Sequence, residues 1–216
     1  MKLAERIKHD YFMKNRFAEY KSILMRAKSF GFQFNRVCDF GLEEYINTDK
    51  TVILRHDIDT DVHIARKMFE IEKELSIKST YYFRLSTMNL KFIKELIAYG
   101  NEVSYHFEEI STYAYDHNIS SRKELESNFG KIQDIFSKNL NMFRTKTKCK
   151  CETVASHGDF INRKIGIINN EFLNDKFKNE CGIRLEAYDK PLLDSTKYCS
   201  DGNTEFLHIV SFDDNK

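Results

Sequence analysis

The sequence predicts an α/β fold, a parallel sheet or barrel covered by helices. Three observations lead there. Short runs rich in β-branched and aromatic residues alternate along the chain with longer stretches of helical periodicity, the order expected of parallel strands joined by crossover helices. Three of the runs lead directly into a histidine: "TVILRH" into His56, "EVSYH" into His106 and "ETVASH" into His157. Functional groups of parallel α/β folds gather where strands end and loops begin, so these three histidines should converge on one rim. Finally, 216 residues at 41% hydrophobic composition suit one domain, 1–216, with a real core and a helical N-terminal segment over about 1–48.

The elements follow in order. Phe17, Tyr20, Ile23, Leu24 and Ala27 share one helical face, and Gly31 stops that helix. Residues 51–55 are a strand, and Thr60 can cap a helix whose inward face is Ile64, Met68, Ile71 and Leu75. Residues 79–85 form the next strand; Leu90, Ile93, Leu96 and Ile97 mark a helix ending at Gly100, and 102–106 alternates as a strand. A long helix then starts at Ser120 or Ser121, with Glu124 behind the cap and Leu125, Phe129, Ile132, Phe136 and Leu140 as its stripe. Residues 152–157 read as a strand, 160–178 as irregular or helical, and 182–188 as strand-like. There is no repeat, low-complexity tract or linker.

Composition narrows the partners. The 34 basic and 33 acidic residues nearly cancel, so there is no electrostatic footprint for nucleic acid or an anionic membrane. A small-molecule or glycan substrate is expected. The N-terminus has no apolar run resembling a signal peptide, and no stretch is long enough to span a bilayer, so the expected compartment is the cytoplasm. Cys38, Cys149, Cys151, Cys181 and Cys199 include only one close pair, too little for a structural zinc, and are expected to be reduced thiols.

The chemistry concentrates after "TVIL", where Arg55, His56, Asp57, Asp59, Asp61 and His63 crowd a short turn. Imidazole nitrogens with carboxylate oxygens suit zinc or another divalent transition ion, and three protein ligands leave a position for water. Asp57 and Asp59 lie two apart on extended chain and can face one side, one binding metal while the other takes a proton from water. Asp61 fits a helix cap better. His9, His117 and His208 read as surface or packing residues, and His63 as a solvated residue of a first helical turn.

"VILRHDIDTD", "STYYFR", "ELIAYGNEVSYHFEEI", "ASHGDF" and "GIRLEAYDKPLLDSTKYCSDGNTEF" occur in an order that resembles the polysaccharide deacetylase superfamily, carbohydrate esterase family four and its relatives. More narrowly, they resemble a branch whose first motif reads R-H-D-V-D and which accompanies surface-polysaccharide genes. The resemblance implies a distorted β/α barrel, a divalent metal, zinc first among the candidates, and hydrolysis of an acetyl group on an amino sugar or glycan precursor. It implies that Asp57 is the catalytic base and that Asp59 is the metal-binding aspartate, with His106 the first histidine of the second motif. That motif, H-x-x-x-H, would continue at position 110, where this chain has Ile110. His157 is the natural replacement, with Glu108 a possible oxygen ligand facing substrate. His56 is an alternative ligand or acid, and Arg55 could orient Asp57 or meet substrate. In that branch the chain continues through further strands, so the barrel is expected to be incomplete after about residue 200.

Two other readings compete. Asp57-Ile58-Asp59 is also a D-x-D, by which glycosyltransferases hold a metal and a nucleotide sugar. With Ile110 in the second motif, the chain could instead be a degenerate, non-catalytic sugar-binding module.

Overall fold

A computed structural model describes residues 16–42, 50–197 and 199. The expectations for His9, His208 and the "SDGNTEF" end of the barrel lie outside the described residues. In chain order the elements are α1 (Phe17–Ser29), β1 (Gln33–Asn35), β2 (Thr51–Ile53), β3 (Arg55–Ile58), α2 (Val62–Glu74), β4 (Thr80–Phe83), α3 (Leu90–Tyr99) and β5 (Glu102–Phe107). There follow α4 (Glu109–Asp116), α5 (Arg122–Ser127), α6 (Phe129–Thr147), β6 (Thr153–Ser156), α7 (Phe160–Ile165), α8 (Asp175–Glu180), β7 (Leu185–Glu186) and α9 (Lys190–Asp194).

The predicted parallel sheet is present. Strands β3-β4-β5-β6-β7 are hydrogen-bonded in that order and every pairing is parallel. Strands β1 and β2 form a second parallel pair. The run expected as one strand, 51–55, is two, divided at Leu54. The Leu54 N–H donates to the Asn35 carbonyl at 3.1 Å, and its own carbonyl accepts from the Thr80 N–H at 2.9 Å. One residue thus hands the chain from the small sheet to the large one.

Side-chain parity sorts the strands into two faces. Tyr81, Phe83, Tyr105, Phe107 and Val154 belong to a large apolar cluster with the helices, while Tyr82, Ala155 and Leu185 meet Val37, Ala187 and Leu192 on the other, inner face. At the amino-terminal ends of the strands, Arg36 to Phe40 runs across the inner face. The Val37 N–H donates to Thr80 Oγ1 at 2.8 Å and the Cys38 N–H to Glu102 Oε2 at 2.9 Å. Arg184 then donates to the carbonyls of Phe40 and Cys38, each at 2.6 Å. These contacts cover the amino-terminal end, and the residues singled out by the sequence lie at the opposite rim.

Three helix expectations need correction. Helix α2 is capped by Asp61, whose side chain accepts from the His63 N–H, and not by Thr60. Its inward face is Ala65, Phe69 and Glu72, one position on from the expected stripe, and Ile64 is 50% exposed. The reason is Glu72, a carboxylate drawn inward by hydrogen-bond donors that a hydropathy pattern cannot see. The long helix starts at Ser121 as expected but breaks at Asn128, which gives its side-chain N–H to the Glu124 carbonyl and accepts from the Tyr113 hydroxyl. Elsewhere Gly100 ends α3 in the left-handed region, φ 97°, as its position foretold. All five cysteines are free, and burial pushes the Cys151 thiol up to about 12, far from reactivity.

Candidate active site

Inward parity continues past the strand ends. Asp59 follows Arg55 and Asp57, Arg84 follows Thr80 and Tyr82, Glu108 follows Ser104 and His106, and His157 follows Thr153 and Ala155. The register pairs Asp57 with Tyr82, Tyr82 with Ser104, and His106 with Ala155. Asp57 therefore stands one inner layer beneath His106, and Asp59, Arg84, Glu108 and His157 crown the rim. The hydrogen bond from the His157 N–H to the Phe107 carbonyl, 2.7 Å, extends the β5–β6 ladder by one step and fixes where His157 stands.

The rim brings Asp59, His106 and His157 together. His106 Nε2 lies 3.1 Å and His157 Nε2 3.7 Å from the same oxygen, Asp59 Oδ1. The two rings meet edge to face with centroids 5.3 Å apart. His106 is 2% exposed, and its Nδ1 faces the Ala155 carbonyl at 2.9 Å. A carbonyl only accepts, so Nδ1 carries hydrogen and donates, and Nε2 is the nitrogen left to face Asp59. Burial acts to raise the Asp59 carboxyl, but the hydrogen bond to His106 and the charges of His106, His157 and Arg84 outweigh it and hold the group below its ordinary value. Burial lowers His157, reinforced by His106 and Arg84 and opposed by Asp59 and Glu108.

Asp57 is held differently. Its Oδ2 lies 3.5 Å from Arg55 Nη2, and the Arg55 guanidinium stacks over the Tyr188 ring at 4.3 Å. Its Oδ1 is buried and accepts no hydrogen bond among the described residues. A carboxylate oxygen in that condition is a vacant acceptor.

His56 does not join the others. By parity it faces the helices, where its Nε2 meets Glu72 Oε1 at 2.5 Å and its ring packs on Tyr81. Glu72 also accepts from the hydroxyls of Tyr20, Ser79 and Tyr81. The expectation of a ligand or acid role for His56 is corrected on that ground: the strand turns its side chain away from Asp57 and Asp59. Ile110 is fully buried in α4 within the large apolar cluster, which explains why no ligand stands there. Glu108 reaches the rim, and both its oxygens accept from Arg84, Oε1 from Nε at 2.9 Å and Oε2 from Nη2 at 2.5 Å. Sequence reasoning passed over Arg84; the signal that could have found it is its parity with Thr80 and Tyr82. His117 packs against Tyr113, with ring centroids 4.0 Å apart.

Among the described residues no group of three or more His, Cys, Asp or Glu side chains is drawn in far enough to hold an ion as it stands. The donor chemistry nevertheless fits a divalent cation. Two imidazoles face one carboxylate oxygen, and one of them has its other nitrogen committed to a backbone acceptor, the arrangement that orients a ligating histidine.

No family model and no curated protein matches the sequence. Among solved structures, IcaB from Ammonifex degensii matches with a TM-score of 0.56 and 15% identity, covering 81% of this chain and 78% of its own. The chain shares the fold of IcaB. No helix among the described residues is long and apolar enough to cross a membrane.

Proposed function

We propose that this chain is a metal-dependent deacetylase that removes an acetyl group from an amino sugar or related glycan precursor, as the sequence resemblance implies. The observation that carries the reading is the convergence of β3, β5 and β6 on one rim, where two histidine Nε2 atoms face a single Asp59 oxygen. The fold shared with IcaB supports the reading at the level of architecture.

Asp59, His106 and His157 would hold the ion, zinc by donor chemistry, which when bound supplies a Lewis acid that acidifies water and polarises an acyl oxygen. The remaining work falls to the chain's own residues. Arg55 and Tyr188 fix Asp57 so that Oδ1 is the free acceptor. Asp57 takes a proton from the attacking water at that atom. Water oxygen bonds to the acetyl carbon, the bond from that carbon to the sugar nitrogen or oxygen breaks, and the proton on Asp57 passes to the departing atom. Acetate and the free amine or hydroxyl are the products, and the balance needs no other reactant.

The test is acetate release from acetylated amino-sugar oligosaccharides by zinc-loaded protein. Release is expected, with Asp57→Asn keeping its zinc and losing turnover by about a thousandfold or more, as for loss of an essential acid–base group. Wild-type protein that releases no acetate, or an Asp57→Asn variant as fast as wild type, contradicts the reading. The non-catalytic alternative has one observation in its favour, that the donors do not stand closed around an ion. Zinc content separates the two, since a sugar-binding module has no need of the metal.

A further inference from the structure

Resting on that reading, we propose that Arg84 and Glu108 are positioning residues: Arg84 locks Glu108 against His157 Nδ1, so that His157 turns Nε2 toward Asp59. Five distances carry this. Glu108 Oε2 lies 3.5 Å from His157 Nδ1, on the far side of the ring from Asp59 Oδ1, which lies 3.7 Å from Nε2. Glu108 is itself gripped through both oxygens by Arg84, at 2.9 Å and 2.5 Å. The remaining Arg84 nitrogen, Nη1, donates to the Asp59 backbone carbonyl at 3.1 Å. One guanidinium therefore ties the loop that carries Asp59 to the loop that follows His106.

The two histidines pose the same problem and solve it differently. To offer an Nε2 lone pair, a neutral imidazole must carry its hydrogen on Nδ1, and that hydrogen needs an acceptor. His106 has the Ala155 carbonyl at 2.9 Å. His157 Nδ1 is buried and makes no hydrogen bond among the described residues, and the anion facing it is Glu108. A shift of about half an ångström closes that gap to an ordinary hydrogen bond. Carboxylate, histidine and ion in line is a recurrent way to fix a ligand's tautomer and direction.

The same geometry removes Glu108 from the ligand set. For an oxygen of Glu108 to reach the Asp59 side of His157, the two-point grip of Arg84 must break, and a planar two-point pair resists that rotation. The bland alternative is a partly exposed rim ion pair that adds nothing to the site. Arg84 also anchors the following turn, since its N–H donates to Thr87 Oγ1 at 3.1 Å while the Thr87 hydroxyl donates to the Ile58 carbonyl at 2.7 Å. The guanidinium is thus held at its base as well as at its tip.

The experiment is nitrogen-15 NMR of the imidazoles in full-length, metal-free protein, paired with zinc titration. Expected in wild type is hydrogen on Nδ1 of both His106 and His157. Glu108→Ala is expected to move His157 toward the Nε2-protonated form and to weaken zinc about 10- to 100-fold, the scale of losses from residues supporting a ligand. Arg84→Lys keeps the charge but not the two-point grip and is expected to fall between. His106, held by backbone, is expected to keep its signals in both variants, which shows that the fold survives. Unchanged His157 signals with unchanged zinc affinity would reduce Arg84 and Glu108 to a rim ion pair. Unchanged signals with zinc binding abolished would make Glu108 a ligand, and either result overturns the proposal. Wild-type protein that releases no acetate refutes the deacetylase reading alone, because the tautomer readout needs neither substrate nor turnover.

Discussion

His106 Nε2 points at Asp59 Oδ1 from 3.1 Å while its Nδ1 donates to the Ala155 carbonyl at 2.9 Å. The ring is therefore fixed by β6 and aimed at the loop after β3, and it cannot face Asp59 with a different nitrogen without losing a buried hydrogen bond. His106→Ala is expected to weaken zinc by about a hundredfold or more, because it removes a ligand and not merely a support. Competition with a chelator of known affinity measures this; affinity unchanged from wild type would remove His106 from the site.

Arg55 holds Asp57 by one oxygen and is itself held against Tyr188. Arg55→Ala is expected to lower acetate release about 10- to 100-fold while leaving zinc content intact, since a misplaced base costs that much without touching the ion. A fall in zinc content equal to the fall in rate would show that Arg55 supports the metal ligands instead.

Restoring the missing histidine should fail. Ile110 is fully buried in α4 against the large apolar cluster, so Ile110→His places an unsatisfied polar ring in the core. A stability loss of about 2–4 kcal/mol is expected from lost packing and desolvation, with no gain in zinc affinity. Chemical denaturation and zinc titration on the same sample check both halves, and a tighter zinc site in the variant would contradict the account.

Beneath β3, Glu72 supplies the pH dependence. Burial alone would raise its carboxyl, but the charge of His56 and hydrogen bonds from His56, Ser79 and Tyr20 prevail and hold it below its ordinary 4.5. The unfolded chain then binds that proton more tightly than the folded one. The stability Glu72 contributes is complete above about pH 4.5 and is lost as pH falls through the folded value. Glu72→Gln is expected to cost about 3–5 kcal/mol at neutral pH, as for a broken buried pair. The gap between wild type and variant should narrow as pH falls below about 4.5, read from urea midpoints. A gap that widens on acidification would reverse the assigned sign.

The parallel order of strands could be read from the sequence because each run is short, apolar and bounded, and of the three strand-end histidines His106 and His157 stand together at one rim. What the sequence hid has physical causes. Hydropathy placed Ile64 inward, whereas Glu72 takes the inward position on the strength of donors that come from α1, β3 and β4. Parity already set His56 opposite Asp57 and Asp59; what the sequence hid is its partner, Glu72 of α2. Arg84 was overlooked because an arginine after a strand carries no signal until Glu108 and Asp59 stand beside it. Helix α4 went unread because its polar Glu109 is buried by a partner far along the chain, Asn139, whose side-chain N–H donates to Glu109 Oε1 at 3.0 Å.

The central claim is that Asp59, His106 and His157 together hold one divalent ion beside Asp57. Crystals of the full chain grown with zinc, with anomalous diffraction recorded at the zinc edge, test it most directly. The account predicts one ion per chain at about 2 Å from Asp59 Oδ1, His106 Nε2 and His157 Nε2, with Glu108 still paired to Arg84. An ion that leaves either histidine outside its coordination, or a rim that stays without metal at saturating zinc, would contradict it.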